Sequence, residues 1–275
     1  MADERTDYRG ALKPIWCPGC GDFAVLNALL RALGKKQIPP SDLVFVAGIG
    51  CASRLPGFVK CNRLHTIHGR ILPVAMGVKL SNPRLRVFGV GGDGDGLAIG
   101  GNHFIHAAKR NPELVYIMMD NSVYGMTKGQ PSQTSPLDIR TKASPYGTVE
   151  RPFDPCALAI ACGASFVARG FSGRPRELEE VLERAMDHRG FAFVHVLSPC
   201  ITFRNTFALY RELVKDMKDH DATDRSAAFG LAVRSEGFPL GVYLETKDET
   251  LDERVLSFIP KTPEKDLKEL LRRFE

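Results

Sequence analysis

The segment RLRVFGVGGDGDGLAIGGNHFIHAAKRNPELVYIMMDNSVYGMTKGQ, Arg84 to Gln130, decides the fold. Leu85 to Val90 is an apolar run entering a glycine cluster, which predicts a buried strand that stops at Gly91. Asn102 to Arg110 carries Phe104, Ile105, Ala107 and Ala108 at helical spacing, and Asn111-Pro112 ends that helix. Leu114 to Met119 is long enough for one more buried strand and delivers Asp120-Asn121 to the sheet edge. A strand-helix-strand unit with polar tips at both strand ends predicts an α/β protein that binds its ligand at that edge, as open α/β sheets do.

The residues at the tips narrow the ligand. Gly92-Asp93-Gly94 lets the backbone approach a phosphate closely, yet Asp93 puts a carboxylate where a bare diphosphate would be repelled. A divalent cation resolves the conflict, because Mg²⁺ takes near-octahedral oxygen ligands, commonly one or two protein groups plus substrate phosphates. The Asp93 carboxylate, the Asn121 amide oxygen and the Val123 carbonyl supply three oxygens for it. Gly92-Asp93-Gly94, then 25 residues, then Asp120-Asn121 resembles the GDG…N(N) signature of thiamine diphosphate enzymes. The same glycines permit a second reading. Gly89, Gly91 and Gly94 satisfy G-x-G-x-x-G after a strand, with Glu113 about 20 residues on, as in NAD-dependent oxidoreductases. That reading ranks second, since a pyrophosphate resting on helix N–H groups leaves Asp93 and Asp95 as unexplained negative charge beside phosphates.

Composition bounds the class. With 275 residues and 44% hydrophobic content the chain can bury a substantial core. No apolar run approaches the roughly 18 to 20 residues a bilayer span needs, and MADERTDYRG has no signal-peptide core, so a cytoplasmic protein without a membrane partner is expected. Seven cysteines, an odd number, fit a reducing compartment better than a disulfide framework and raise the question of metal or cluster ligation. The net charge of +5 is spread without a basic block, which argues against a nucleic-acid partner.

From the N-terminus, Trp16-Cys17-Pro18-Gly19-Cys20-Gly21-Asp22 precedes an amphipathic helix predicted over Phe23 to Leu33 and closed by Gly34. Thiols at a helix N-terminus favour thiolate. Trp-Cys-x-x-Cys suits a thioredoxin-like dithiol; structural zinc calls for two such pairs, and one is present. Leu43 to Ala47 predicts another buried strand, ending in Gly48-Ile49-Gly50-Cys51-Ala52-Ser53-Arg54. A loop carrying His65, His68 and Arg70 follows. Pro131 to Pro155 reads as a Pro/Ser/Thr-rich loop. Ala164 to Ala168, Arg174 to Asp187 and Phe191 to Val196 read as strand, helix and strand, finishing at Cys200. From Asn205 the chain is charged and more helical, with a short strand at Gly241 to Glu245 and an apolar stripe of Leu267, Leu270, Leu271 and Phe274.

Together WCPGCGDF, GIGCASRLPG, HTIHGR, GDGDGLAIGGNHFIHAAKRN, DNSVYGMTKGQ and, later, LSPCITF resemble the β subunit of 2-oxoacid:ferredoxin oxidoreductases. The resemblance implies a thiamine-diphosphate-binding α/β fold, a mostly parallel sheet with helices on both faces. Residues 1–205 would bind thiamine diphosphate and a [4Fe-4S] cluster, and residues 206–275 would form a helical extension packed on that domain or on a partner subunit. It also implies residue roles. Cys17, Cys20, Cys51 and Cys200 match the thiolates of one [4Fe-4S] cluster, leaving Cys61, Cys156 and Cys162 as small buried thiols. Asp93, Asn121 and the Val123 carbonyl match the Mg²⁺ ligands. Ile49, Gly50, Cys51, Ala52, His68, Gly94, Asp95, Asn121, Gly125 and Met126 match cofactor contacts, and His68 and Arg54 match catalytic positions. Arg54 stands where the family places a basic residue facing the substrate carboxylate, often Lys.

The activity implied is oxidative decarboxylation of a 2-oxoacid with CoA to acyl-CoA and CO₂, electrons leaving to ferredoxin. Arg54 and the short single-cluster chain favour 2-oxoglutarate or a broad 2-oxoacid range over pyruvate. No glutamate in these motifs is suited to activate the aminopyrimidine, so an α subunit is expected to supply it with most of the CoA pocket.

Overall fold

The computed structural model describes residues 6–258, except Lys218 and Ser235, together with Arg272. The predicted apolar stripe from Leu267 to Phe274 lies outside the described residues. In chain order the elements are α1 (Asp22–Lys36), β1 (Leu43–Ala47), a 3₁₀ helix (Ala52–Phe58), β2 (Asn62–His65), α2 (Ile71–Ser81), β3 (Arg86–Gly92), α3 (Asp93–Leu97), α4 (Gly101–Arg110) and β4 (Leu114–Asp120). Then come β5 (Val123–Tyr124), β6 (Gln130–Pro131), α5 (Pro155–Ala161), β7 (Phe166–Phe171), α6 (Pro175–Asp187), β8 (Phe191–Leu197), α7 (Phe207–Leu213), β9 (Val214–Asp216), α8 (Arg225–Arg234), β10 (Phe238–Glu245) and α9 (Leu251–Phe258).

One sheet takes the order β2-β1-β3-β4-β8-β7-β10-β9, and β5-β6 forms a small hairpin. Every neighbouring pair in the large sheet is parallel except β7 with β10. The middle strands β1, β4 and β8 are buried at every residue, which explains their unbroken apolar sequences, since a parallel strand covered on both faces has no polar side. The edges differ: β2 (NRLH) is exposed throughout and β9 (VKD) carries charge, both poor templates for further strand pairing.

Helices cover both faces, as expected. On one side Leu29, Leu33, Leu178 and Leu182 from α1 and α6 pack on Phe45, Phe88 and Ile117. In α6 the buried Leu178, Val181, Leu182 and Ala185 recur at helical spacing, and Pro175 opens the helix where its missing N–H is not needed. On the other side Leu72, Met76, Phe104 and Ile160 from α2, α4 and α5 pack on Val46, Tyr116 and Phe193.

Boundaries move for identifiable reasons. β3 continues to Gly92 because Gly91 and Gly92 still pair with Met118 and Met119. The glycine-acid turn after it is itself one short helix, α3. Helix α1 runs through Gly34 to Lys36 and is closed by Gln37 at φ 49°, whose N–H bonds Leu33 O. The strand predicted at Ala164 to Ala168 lies at Phe166–Phe171, because Arg169 is tolerated inside it by hydrogen bonds to His195, Tyr243 and Asp154. The short strand at Gly241 to Glu245 starts earlier, at Phe238, and pairs with β7 and β9. Among the described residues no helix is long and apolar enough to cross a membrane.

Topology sets the site. β1, β2, β3, β4 and β8 run parallel, so the residues that follow them, from Gly48, Thr66, Asp93, Asn121 and Ser198, emerge at one edge. A carboxyl edge of this kind is where such sheets bind ligands.

Candidate active site

At that edge lies a cavity of about 290 Å³ lined by Ile49, Gly50, Cys51, Ala52, His68, Asp93, Gly94, Asp95, Asn121, Val123, Gly125 and Met126, with Gly92, Met119, Tyr124 and Thr127. The first twelve are the residues singled out from sequence as cofactor contacts or Mg²⁺ ligands. The hairpin β5-β6 and its turn supply one wall, with Gly125 N bonded to Val123 O at 3.1 Å.

Asp93 is buried at the opening of α3. Its Oδ2 accepts from Ser132 Oγ and lies 2.9 Å from Thr134 Oγ1. Thr134 Oγ1 also lies 2.8 Å from Asp120 Oδ1. One hydroxyl has one proton and cannot donate to two carboxylates, so the pair is satisfied when one acid is protonated. Burial first, then the Asp120 charge, push the Asp93 carboxyl up to about 7, against the hydroxyl hydrogen bonds. Burial acts the same way on Asp120, but hydrogen bonds from His195 and Thr134 and the Ser122 N–H hold it below the usual carboxylate range. Asp93 is thus the acid that keeps the proton. A cation beside it would release that proton.

Sequence reasoning missed Ser132, Thr134 and His195, and it gave Asp120 no role of its own. The hydroxyl-dense Ser132-Gln133-Thr134-Ser135 and the single histidine inside the apolar run FAFVHVL were the available signals.

Asp95 organises the opposite wall. Its Oδ1 accepts from Ile49 N at 2.9 Å, Gly69 N at 3.1 Å and His68 Nδ1 at 2.8 Å. Because that oxygen already takes two N–H groups, His68 Nδ1 is the donor and Nε2 is the ring's remaining nitrogen. Asp95 Oδ2 is buried without a partner. Gly48 is required at this approach, since a Cβ there would lie 2.3 Å from Asp95 Oδ2.

The cysteines form a second cluster sharing the cavity wall at Cys51. The turn from Cys17 to Cys20 is closed by Cys20 N to Cys17 O at 3.0 Å, and Gly21 N bonds Pro199 O at 3.2 Å beside Cys200. Gly21 permits this contact: a Cβ would sit 2.7 Å from Ser198 Oγ. Trp16 Nε1 donates to Cys51 O at 2.8 Å, tying the first turn to the Cys51 loop. Cys51 and Cys200 Sγ flank the Gly125 position, 3.6 and 3.9 Å from where a Cβ would stand. Burial, then Asp22, then neighbouring thiols push Cys20 up to about 12, and the same influences push Cys51 up to about 11. Among the described residues no three His, Cys, Asp or Glu side chains gather tightly enough for one metal ion.

Arg54 is exposed on the 3₁₀ helix and lines a neighbouring groove with Lys13, Arg63 and His65 rather than the cavity. Its charge still reaches Cys51 and favours thiolate there.

Residues 48–196 match the family described as thiamine pyrophosphate enzyme, C-terminal TPP binding domain, and residues 200–258 match the C terminal family of the pyruvate ferredoxin oxidoreductase beta subunit. The chain is 38% identical to 2-oxoacid:ferredoxin oxidoreductase 2, subunit beta, of Aeropyrum pernix, across 94% of this chain and 89% of that one. It belongs to the β subunits of 2-oxoacid:ferredoxin oxidoreductases. Another such β subunit, the 2-oxoglutarate synthase subunit KorB of Archaeoglobus fulgidus, is 45% identical over 80% of this chain and 82% of its own length. The fold matches a solved 2-oxoglutarate:ferredoxin oxidoreductase from Magnetococcus marinus, carrying 2-oxoglutarate, coenzyme A and succinyl-CoA, with a TM-score of 0.92 at 38% identity over 98% of this chain and 95% of that one. The cavity of this β subunit lies within its thiamine diphosphate domain.

Proposed function

We propose that this β subunit, with an α subunit, converts 2-oxoglutarate or a related 2-oxoacid and CoA to acyl-CoA and CO₂, passing two electrons singly through one [4Fe-4S] cluster to ferredoxin. The observation that carries the reading is Cys51, which lines the thiamine diphosphate cavity and also neighbours Cys17, Cys20 and Cys200. A reaction that removes electrons from a cofactor-bound substrate needs an acceptor close by. Substrate class rests on the relatives, including the Magnetococcus enzyme with 2-oxoglutarate bound.

The donor set fits the expected groups. Asp93 is a buried carboxylate at a glycine turn and lines the same cavity as Asn121, suited to holding Mg²⁺ together with a diphosphate. Thiamine diphosphate supplies the carbanion chemistry when bound. Four cysteines without disulfides, two of them with thiols pushed up by burial and mutual charge, suit a group that pairs with thiolates. Ile49, Gly50 and Ala52 shape the cavity, His68 is oriented by Asp95, and Met126 props its apolar side. Arg54 meets the substrate carboxylate from the adjoining groove. Among the described residues the cavity lining holds no glutamate, which leaves proton activation of the cofactor and the CoA pocket to the α subunit.

The test is an anaerobic iron and acid-labile sulfide assay on the purified αβ complex, joined to reduction of ferredoxin with 2-oxoglutarate and CoA. About four irons and four sulfides per β chain, with 2-oxoacid-dependent ferredoxin reduction, are expected. A complex that stays iron-free after anaerobic reconstitution refutes the proposal.

A further inference from the structure

The mechanism above leaves unused a chain of buried polar groups that runs away from the cavity beneath the sheet edge. Arg169 on β7 and His195 on β8 are each 1% exposed, and Asp120 at the end of β4 is 2% exposed. Arg169 and His195 stand side by side in register, and Asp120 lies two residues beyond Met118, the partner of His195 on β4. The rest of both strands is apolar apart from Gly170. Apolar residues at 169 and 195 would satisfy packing, and replacing buried ion pairs by apolar groups is often neutral or stabilising. The polar chain therefore asks for a role other than stability.

Its hydrogen bonds have one direction. Arg169 can only donate. Its Nη1 goes to Tyr243 Oη at 2.7 Å, its Nη2 to Asp154 Oδ2 at 2.5 Å and its Nε to His195 Nδ1 at 3.0 Å. Since His195 Nδ1 accepts, the imidazole carries its proton on Nε2, which lies 2.8 Å from Asp120 Oδ2. Asp120 Oδ1 then accepts from Ser122 N and Thr134 Oγ1, each at 2.8 Å. Ser122 is a non-glycine residue at φ 55°, so the turn that carries Asn121 and Val123 is held in an uncommon backbone conformation. The Asp120 carboxylate holds it there from one side, with Ser135 Oγ bonded to Ser122 O at 2.6 Å and Val123 N to Asn121 Oδ1 at 3.0 Å.

We propose that His195, fixed in its Nε2–H tautomer by Arg169, is a positioning residue: it clamps Asp120 so that the Asn121–Val123 turn presents its oxygens to the Mg²⁺ of thiamine diphosphate. This rests on the metal-binding reading given above. The clamp works through a donor at the Nε2 position, so the substitutes differ in a predictable way. A Gln side chain places its amide N–H near the Nε2 position and keeps the bond to Asp120. Asn is one carbon shorter, reaches Arg169 and falls short of Asp120.

The experiment measures Mg²⁺-dependent thiamine diphosphate binding by calorimetry on the cofactor-depleted αβ complex, for the parent, His195→Gln and His195→Asn, with melting temperatures recorded on the same samples without cofactor. His195→Asn is expected to weaken binding about 10–100-fold, the usual cost of losing a group that orients a metal ligand, while His195→Gln stays within about threefold of the parent. Equal affinity for all three, or equal loss in both variants, overturns the proposal. So does an affinity loss that follows the melting temperature rather than the side chain. Should His195→Asn fail to fold, the ¹⁵N spectrum of histidine-labelled parent complex decides: a buried imidazole protonated at Nε2 alone supports the clamp, and one protonated at Nδ1 overturns it. A parent complex that binds no thiamine diphosphate refutes the metal-site assignment itself, an outcome distinct from binding that is indifferent to residue 195.

Discussion

The Asp93 carboxyl offers a test that separates function from stability. In the folded chain it is pushed up to about 7 by burial and by Asp120, against about 3.9 for a free aspartate. Between those values the unfolded chain is ionised at residue 93 and the folded chain is not, so the cofactor-free protein loses stability as pH rises, until about pH 7. Each pH unit in that window costs about 1.4 kcal/mol. From pH 5.5 to 7 the parent should lose about 2 kcal/mol from this group, and little more above pH 7. Asp93→Asn carries no titrating group there. Whatever fixed cost it pays for altered bonds to Ser132 and Thr134, its stability relative to the parent should climb by that 2 kcal/mol over the same interval and then level off. Urea unfolding of the cofactor-depleted chain at half-unit pH steps measures the difference. Mg²⁺ with thiamine diphosphate should then favour the parent, adding about 2.7 kcal/mol to it at a hundredfold excess over Kd and almost nothing to the variant. Parallel pH profiles for the two proteins, or equal stabilisation by the cofactor, refute the reasoning.

Other outcomes follow from the same geometry. Cys17→Ala and Cys200→Ala should each lower iron in the purified αβ complex from about four per β chain to under one, with the visible absorption band lost in parallel. Arg54→Gln, altering a residue outside the cavity lining, should leave thiamine diphosphate affinity within about twofold and raise KM for the 2-oxoacid roughly tenfold, about 1.4 kcal/mol of lost carboxylate recognition. Asp95→Asn replaces a carboxylate that accepts from Ile49, Gly69 and His68; steady-state kinetics should give a kcat/KM lower by about tenfold or more, since charge-assisted bonds of this kind are worth about 1.5–3 kcal/mol. Gly48→Ala puts a methyl 2.3 Å from Asp95 Oδ2, and a urea midpoint shift equivalent to about 1–3 kcal/mol is expected.

Much of the site was legible because its residues sit in short glycine-framed turns after apolar runs. Gly92-Asp93-Gly94 and Asp120-Asn121 announce both their strands and their chemistry, and the structure brings Gly92, Asp93, Gly94 and Asn121 to one cavity with Ile49 and His68. The cysteine turn beside Cys200 needed the resemblance, since no local pattern says that residues 21 and 199 will share a hydrogen bond. What remained hidden is what holds the acids. Ser132 and Thr134 read as loop residues, because a hydroxyl in a Pro-rich stretch looks the same in sequence whether it meets water or a buried carboxylate. Arg169 and His195 are similarly opaque: each is one polar letter in an apolar strand, and its partner lies 26 residues away on the neighbouring strand. The short strand read near Gly241 was too brief because Pro239 discourages extension, although at this position β10 still reaches both neighbours.

Cys51 takes part in both the cavity and the cysteine cluster. Its carbonyl is held by Trp16, its sulfur faces Gly125 and Cys200, and the residue forms part of the cavity floor. One residue therefore belongs both to the cavity lining and to the cysteine cluster. On the proposed function, damage by oxygen at the cluster is expected to reach the cavity through it. On that reading, an αβ complex stripped of its cluster is expected to regain activity when iron and sulfide are restored, and thiamine diphosphate alone is expected to leave it inactive.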